Sequence, residues 1–161
     1  MIKLIEDNDV FEAIQLMNKS TKENTYGGYN RNEAVWISFF LNIVEKQKEG
    51  NPHYLAIGEY KNNTLIGFLL ASTFVSYYNN EYTMDVKDCI VDKDEATPFT
   101  VTKLFDAMLN HTKTHGGLRW RADSIRIIEH SKNYVNLLKL KYGAEVYYSA
   151  HGIINKENTN E

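Results

Sequence analysis

Residues 82–117 of the chain read YTMDVKDCIVDKDEATPFTVTKLFDAMLNHTKTHGG. The opening part is rich in strand formers with alternating apolar side chains, which predicts a strand over Tyr82–Val91 whose apolar face carries Met84, Val86 and Ile90. The next segment, DKDEA at 92–96, is too charged to continue a strand. A strand that leads into a helix is a place where α/β proteins often bind phosphate groups, so this stretch is where a functional site is first sought.

The second part of this stretch predicts a long amphipathic helix. Thr97 can accept a hydrogen bond from a free backbone N–H, and Pro98 suits the first helical position. Apolar residues then recur at helical spacing and form one stripe of Val101, Leu104, Phe105 and Met108. Gly116 and Gly117 are expected to end the helix, because glycine readily adopts the left-handed conformation found at helix ends.

Length and composition limit the classes of protein to consider. A chain of 161 residues predicts one domain over 1–154, followed by a polar tail over 155–161. The net charge of −3 argues against general nucleic-acid binding. The single cysteine, Cys89, excludes an intramolecular disulfide framework and fits a reducing compartment. Without an apolar run long enough for a membrane span or a signal peptide, the expected location is the cytoplasm, or a virion if the protein is packaged later.

The remaining segments predict a mixed sheet with interleaved helices. At the start of the chain we expect a strand at Ile2–Ile5, a capping box of Asp9 and Glu12, and a helix starting at Val10. A loop over Ser20–Arg31 should follow, and then a helix over Asn32–Glu49 that buries Trp36, Phe40, Ile43 and Val44. The next segment should form a hairpin of the strands His53–Tyr60 and Thr64–Tyr78. After residue 117 we expect a strand at Asp123–Ile128, a helix ending at Gly143 and a strand at Ala144–Ile154. The order β-α-α-β-β-β-α-β-α-β indicates an α/β or α+β fold, with the strands at Tyr82–Val91 and Asp123–Ile128 parallel.

This order, together with two local sequences, resembles the GCN5-related N-acetyltransferase (GNAT) superfamily. Residues 59–67, EYKNNTLIG, resemble the hairpin that commonly ends in a glycine in that family, and residues 136–144, NLLKLKYGA, resemble its late helix. The resemblance extends from Ile2 to Ile154 and implies a GNAT-like mixed central sheet that splays between the strands at Tyr82–Val91 and Asp123–Ile128. It also implies transfer of an acetyl group from acetyl-coenzyme A to an amine, without a metal.

The family binds the coenzyme at a glycine-rich turn at the start of the central helix, and the corresponding residues here are Ala96–Val101, ATPFTV. This segment lacks the family's leading Arg or Gln and both of its glycines, and Pro98 has no N–H to donate. The resemblance assigns the pantetheine to the backbone of Cys89–Val91 and the pyrophosphate to the N–H groups of Phe99, Thr100 and Val101. The loop at Ser20–Arg31 and the last strands would form the acceptor pocket.

The family's general base is usually a carboxylate on the fourth strand, which makes Asp88 the candidate here. Period-two alternation places Asp88 with Met84, Val86 and Ile90, and places Asp85 on the other face. A solvated surface charge is the alternative for both. The family's Tyr acid in the late helix corresponds to Lys139 in this chain.

Other candidate residues have ordinary structural explanations. The His111 and His115 spacing suits two metal ligands on a helix but lacks a third, and both residues lie where a helix dipole favours histidine. Cys89 is either a nucleophile or a small buried hydrophobe. Three arginines around Trp120 could contact a phosphate or nucleic acid, or could form a surface stripe paired with acids: Arg119, Arg121 and Arg126.

Two functions of different classes are consistent with these residues. The first is an N-acetyltransferase acting on an amine of a small molecule or protein. The second is a catalytically silent GNAT-fold protein that binds a protein partner or its own copies, for example a phage virion component. The silent alternative predicts that Thr97–Val101 are packed against neighbouring chain and that Phe99 is buried.

Overall fold

The computed structural model describes residues 1–21, 33–75, 81–117, 119–122 and 132–144. The chain forms two compact units, Met1–Ile125 and Arg126–Glu161. The first unit contains a five-stranded sheet and its helices, and the second contains one described helix. The single domain expected over 1–154 stays a prediction.

The elements of the first unit follow the predicted order. Its strands are β1 (Ile2–Leu4), β2 (Tyr54–Lys61), β3 (Thr64–Val75), β4 (Tyr82–Val91) and β5 (Arg119–Ala122). A 3₁₀ turn at Asp7–Asp9 precedes the first of its helices, which are α1 (Val10–Thr21), α2 (Glu33–Lys48) and α3 (Pro98–Thr114). The described helix of the second unit is α4 (Lys132–Tyr142). Among the described residues, no helix is long and apolar enough to cross a membrane.

The sheet has the strand order β1-β2-β3-β4-β5. Neighbouring strands from β1 to β4 pair antiparallel, whereas β4 and β5 pair parallel over the four residue pairs from Thr83↔Arg119 to Val86↔Ala122. The predicted parallel crossover through α3 is therefore confirmed. The continuation of β5 at Asp123–Ile128 lies outside the described residues, so the predicted splay stays a prediction.

The β2–β3 hairpin turns at Asn62 and Asn63, as the sequence predicts. Their φ angles are 51° and 64°, in the left-handed region where asparagine is tolerated better than most residues. Two consecutive positive φ angles match the type I′ turn, whose twist fits that of the flanking strands. The sequence of this turn therefore fixes the register of the hairpin.

Helices α1 and α2 cover one face of the sheet. The four predicted α2 side chains are all buried, and Phe40 stacks on Phe68 of β3 at 5.6 Å between ring centroids. Trp36 contacts Phe40 edge-on at 5.2 Å. This aromatic group sits in a cluster with apolar residues of α1, β2 and β3 that include Ala13, Met17, Ala56 and Leu70. Burial of large aromatic surface holds this layer to the sheet.

Helix α3 packs on the opposite face with its predicted stripe, since Val101, Leu104, Phe105 and Met108 are all buried. Gly67 of β3 lies under the first turn of α3. A Cβ at this position would lie 3.0 Å from Thr100 Cγ2 and 3.0 Å from Val91 Cγ1, which is tighter than ordinary van der Waals contact. Glycine at 67 therefore allows the start of α3 to approach the sheet closely.

Two polar side chains tie the helices to strands. Gln47 of α2 donates from Nε2 to the Ile5 carbonyl at 3.2 Å and accepts the Ala56 N–H at Oε1 at 2.7 Å. Glu12 of α1 accepts the Leu65 N–H at 3.1 Å. The predicted Asp9–Glu12 capping box is therefore wrong, because Glu12 reaches across to β3. The observed capping box pairs Asp9 with Glu6 instead.

The later part of the chain differs from the sequence prediction. The strand after α3 begins at Arg119, whereas the sequence predicts a strand only from Asp123 onward. The late helix ends before Gly143, whose φ of 63° suits a helix stop, as predicted. The predicted strand at Ala144–Ile154 and most of the predicted Ser20–Arg31 loop lie outside the described residues. The predicted start of this loop is wrong, because Ser20 and Thr21 belong to α1.

The Phe40 cluster predicts a large stability difference between two identical substitutions. Phe40→Ala removes a fully buried ring and should lower the free energy of unfolding by about 3–5 kcal/mol. Phe11→Ala changes a ring that is 67% exposed on α1 and should cost less than about 1 kcal/mol. Urea unfolding measures both, and equal losses for the two variants would contradict this account of the core.

Candidate functional site

The site begins with an irregularity in β4. Leu70 of β3 pairs with Asp88, but Ala71 pairs with Val86, so Lys87 is an extra residue on β4. Such a bulge reverses the alternation of faces along a strand. Asp88 therefore lies on the face of Leu70, towards α1 and α2, whereas Val86 lies on the opposite face.

This bulge corrects the predicted faces of β4. Asp88 does not share a face with Met84 and Val86, although it does share one with Ile90. Asp85 pairs with Ser72 and lies on the same face as Asp88, not on the other face. The reason is the one-residue insertion, which a strict period of two cannot represent. The two β4 carboxylates thus come together on the face covered by α1 and α2.

Asp88, the predicted general-base candidate, is buried and hydrogen-bonded. The indole Nε1–H of Trp36 donates to its Oδ2 at 2.7 Å. A buried carboxylate needs such donors, because removing it from water is otherwise costly. The alternative of a solvated surface charge is therefore wrong for Asp88.

Asp85 is also buried, with 3% of its side chain exposed. Its Oδ2 accepts Arg121 Nη2 of β5 at 3.0 Å and pairs with the Nζ of Lys87, the bulge residue. The Arg121 guanidinium lies 4.2 Å from the centroid of the Phe74 ring. Within the described part of the chain, Asp85 Oδ1 has no hydrogen-bond partner. Asp85 thus joins β4 to β5 at the parallel junction, and the solvated alternative is wrong for it as well.

The start of α3 uses most of its own donors. Thr97 N–H donates to Thr100 Oγ1 at 3.2 Å, and Thr100 N–H donates back to the Thr97 carbonyl at 2.8 Å. Pro98 has no N–H. The Phe99 N–H lies among the first-turn amides that a helix leaves without intrahelical partners, and it takes no part in this exchange between the two threonines. The assignment of Phe99, Thr100 and Val101 to the coenzyme stays a prediction.

Phe99 itself is 70% exposed. The burial that the silent alternative predicts for this ring is therefore not seen. Thr100 and Val101, its neighbours, are buried against the sheet side. The residues that the structure describes therefore leave most of Phe99 uncovered at the helix start.

In the acidic loop between β4 and α3, two backbone amides and one ammonium group contact a single carboxylate, that of Asp92. Asp92 Oδ1 accepts the N–H groups of Asp94 at 2.9 Å and Glu95 at 3.3 Å, and Lys19 Nζ from α1 lies 3.0 Å from the same oxygen. Lys19 also contacts Asp94 at 2.8 Å. Although partial burial opposes ionisation, the Asp94 N–H and the Lys19 ammonium hold the pKa of Asp92 below its usual value. Two amides and an ammonium thus converge on an anion, which here belongs to the protein.

Glu59 of β2 is a buried carboxylate that the sequence pattern does not reveal. Its Oε1 pairs with Lys103 Nζ of α3. Burial alone would raise the pKa of Glu59, but Lys103 and Thr100 together hold it below its ordinary value. A charged residue in a strand pattern predicts exposure, so only its i, i+2 relation to Ile57 and Leu55 could have indicated a buried face.

The residues predicted to align the pantetheine, Cys89–Val91, are the last three residues of β4. Cys89 pairs with Leu69, Val91 pairs with Gly67, and both are partly buried. Burial, with a smaller contribution from Asp88, raises the pKa of the Cys89 thiol to about 12. A thiol that stays protonated is a poor nucleophile, so this geometry does not favour covalent catalysis by Cys89.

Several of the remaining candidates have structural partners. His111 donates from Nε2 to the Pro52 carbonyl at 2.9 Å, and burial lowers its pKa. Its ring lies 4.3 Å from that of His115, but the described residues contain no group of three potential metal ligands. Trp120 packs edge-on against Phe105 of α3, and Arg119 pairs with Glu81 at 2.9 Å. Arg126 lies outside the described residues, and Lys139 is exposed on α4.

The fold matches solved acetyltransferases over nearly the whole chain. An aminoglycoside acetyltransferase from an uncultured soil metagenomic sample, in complex with sisomicin, matches with a TM-score of 0.69 at 13% identity, covering 97% of this chain and 96% of that one. A ribosomal-protein-alanine N-acetyltransferase from Brucella melitensis biovar Abortus 2308 matches with a TM-score of 0.67 at 13% identity, covering 96% and 98%. AAC(6')-Iy, in complex with a bisubstrate analogue of coenzyme A and acetylneamine, matches with a TM-score of 0.68 at 12% identity, covering 97% of each chain.

No protein-family model and no curated protein matches the sequence. At these identities the likeness concerns the fold alone. The chain therefore has the fold of the GNAT acetyltransferases, as the sequence predicts.

The donors beside the helix start fit an anion such as a phosphate group in chemical type. The Asp94 and Glu95 amides and the Lys19 ammonium already surround a carboxylate oxygen, and the Phe99 amide lies four residues further on. The Asp92 carboxylate occupies the two loop amides and the Lys19 ammonium. A phosphate could use them only if Asp92 releases them.

The raised thiol pKa makes a prediction for Cys89. In the native protein at pH 8 the thiol should remain protonated and should react with iodoacetamide at least about tenfold more slowly than in urea, because the thiolate is the reacting species. Mass spectrometry of timed samples measures the labelling. Equal rates in the two conditions would show that the Cys89 thiol is accessible and ionises normally.

Proposed function

We propose that this protein transfers an acetyl group from acetyl-coenzyme A to an amine. The observation that carries the proposal is the exposed helix start at Phe99 within an acetyltransferase fold that extends over nearly the whole chain. The Asp85 and Asp88 carboxylates on one face of β4 support it. Neighbouring folds are described in complexes with sisomicin and with a coenzyme A bisubstrate analogue, so an amine acceptor of that general kind is a reasonable first substrate class.

The reaction itself needs positioning and one proton acceptor. Acetyl-coenzyme A supplies the activated thioester. The amine nitrogen attacks the carbonyl carbon, and a carbon–nitrogen bond forms. The carbon–sulfur bond breaks, the coenzyme leaves as a thiolate that takes a proton from water, and the proton lost by the amine passes to a base. We assign the base to Asp88, because it is the β4 carboxylate that the resemblance indicates, whereas the Asp85 carboxylate is bound to Lys87 and Arg121. The main chain of Cys89–Val91 would align the pantetheine arm.

The part of the site that would bind the coenzyme phosphates is expected to bind them weakly. Acids at 92, 94 and 95 lie beside the helix start, and two of the nearby amides are bound to Asp92. An incoming pyrophosphate must overcome the charge of these acids, and it can use the two loop amides only by replacing the Asp92 carboxylate. We therefore expect coenzyme affinity to be low, with a Kd above about 1 μM, weaker than roughly −8 kcal/mol.

A second function is favoured by the same loop. If Asp92 never releases its donors, the protein is a catalytically silent GNAT-fold protein that acts through a protein partner or through its own copies. The lack of an N–H at Pro98 and the mutual use of donors and acceptors by Thr97 and Thr100 support this alternative. The exposure of Phe99 argues against it.

An acyl-transfer assay tests the proposed function. The purified protein is incubated with acetyl-coenzyme A and, separately, an aminoglycoside, a polyamine and a peptide with a free N-terminal alanine. Acceptor-dependent release of the coenzyme thiol is expected with at least one of them, and Asp88→Asn should lower kcat by at least about a hundredfold if Asp88 is the base. Thiol release that no acceptor stimulates would favour the silent alternative.

The Asp92 loop makes a separate prediction about affinity. Asp92→Ala frees two loop amides and removes a negative charge, so it should tighten binding of coenzyme A by about tenfold or more. Asp94→Ala is the matched control, since it removes the same charge and a Lys19 contact but frees no amide from Asp92. Calorimetric titration measures both. Equal tightening would show that charge alone, and not release of the donors, limits binding.

A further inference from the structure

We propose that Trp36 of α2 is a positioning residue that holds the Asp88 carboxylate in one orientation. The catalytic part of the proposal rests on the proposed function, in which Asp88 is the base. The orientation itself does not depend on any activity. The sequence pattern assigns Trp36 only to the buried side of α2, and the resemblance to acetyltransferases assigns it no role.

The indole of Trp36 makes a short hydrogen bond to Asp88. Its Nε1–H donates to Oδ2 at 2.7 Å, which is at the short end of the usual range for an N–H···O bond. Hydrogen bonds to an ionised group have this length and are about twice as strong as bonds between neutral groups. Only 7% of Trp36 and 8% of Asp88 are exposed, so water competes little for either partner. The bond therefore favours one rotamer of the carboxylate.

The Trp36 ring is itself fixed by the aromatic cluster around it. It contacts Phe40 edge-on at 5.2 Å and is tilted against Phe68 of β3 at 6.2 Å between ring centroids. Phe40 and Phe68 in turn stack on each other at 5.6 Å. A buried ring in such a cluster stays in one rotamer, because another rotamer would clash or would open a void. The direction of the indole N–H is therefore set by the core before any substrate binds.

The main chain of Asp88 is fixed by the sheet. Asp88 pairs with Leu70 of β3 and directly follows the bulge residue Lys87. The strand pairing sets the main chain, so only the two side-chain torsions of Asp88 are left to vary. The bond from Trp36 restricts these torsions. The carboxylate is thus held by two elements whose bonding residues lie 52 positions apart in the sequence.

The orientation of Asp88 matters for the proposed reaction. A base must meet the proton that it accepts with the right distance and direction, and a rotated carboxylate loses that contact. One indole bond uses one of about four acceptor sites of a carboxylate, so it orients the group and does not by itself prevent proton transfer. Loss of the indole N–H should therefore lower kcat much more than it changes KM, because substrate binding does not need the base.

The experiment uses the full chain and two replacements of Trp36. Trp36→Phe removes the N–H together with part of the ring. Replacement of Trp36 by benzothienylalanine exchanges the N–H for sulfur and keeps the ring size, so it serves where the phenylalanine variant does not fold. Trp120→Phe is the matched control, because the chain has two tryptophans and Trp120 packs on Phe105 of α3.

Hydrogen exchange of the indole N–H groups tests the orientation without any activity. The NMR spectrum of the nitrogen-labelled protein contains one indole signal for each tryptophan, and the Trp36→Phe and Trp120→Phe variants assign them. In Asp88→Asn the Trp36 N–H should exchange about tenfold faster than in the wild-type protein, because a neutral acceptor forms a weaker bond. The Trp120 N–H should exchange at the same rate in both proteins.

Steady-state kinetics test the role of Trp36 in the reaction. With acetyl-coenzyme A and an accepted amine, both replacements of Trp36 should lower kcat by about tenfold and change KM by less than about twofold. Trp120→Phe should keep the wild-type kcat. In the Asp88→Asn background the replacements of Trp36 should have no further effect, because Trp36 acts through Asp88.

Three results would overturn the proposal. They are indole exchange that is unchanged or equally faster for both tryptophans in Asp88→Asn, a wild-type kcat with benzothienylalanine at position 36, and a loss of kcat from replacing Trp36 that is equal with and without Asp88. If the wild-type protein transfers no acetyl group while the exchange results hold, the proposed function fails and the orienting role of Trp36 stands.

Discussion

The one-residue bulge at Lys87 is the constraint on which the rest of the site depends. Before it, β4 pairs with both β3 and β5, and its even-numbered residues Met84 and Val86 face α3. After it, the even-numbered residues Asp88 and Ile90 face α1 and α2. The bulge therefore brings the Asp85 and Asp88 carboxylates to one face of β4, the strand that leads to α3. It also places Lys87 where its ammonium can neutralise part of the charge of Asp85.

The sequence predicts the regular parts of the fold well. The bounds of β4, the cap and stripe of α3 and the four buried side chains of α2 all follow from periodicity and capping, because these depend on residues close in sequence. The sequence places β5 too late, since the segment RWRA has too many charges to indicate a strand. Its charges are tolerated because Arg119 and Arg121 pair with acids of the segment 81–85.

The site is predicted less well, because it contains buried charged residues and because the bulge in β4 changes which residues share a face. The strand position of Asp88 makes it a candidate, but its partner Trp36 is distant in sequence and cannot be assigned from the pattern. Glu59 and Asp85 are buried, although charged residues are usually expected at the surface. Phe99 is an exposed aromatic, which composition assigns to the interior. All of these are exceptions to the same rule, and all of them lie close to the β4–α3 connection or to the strands beneath it.

The parallel pairing of β4 with β5 also has a consequence for the order of folding. The β2–β3 hairpin joins residues on either side of a two-residue turn, whereas Asp85 and Arg121 lie 36 positions apart with all of α3 between them. Local pairings close faster than distant ones, so the antiparallel strands should assemble while β4 is still the last strand of the sheet. For that interval the chain has an unpaired strand edge, which other chains can join. Dilute conditions during refolding should therefore favour recovery of the native protein.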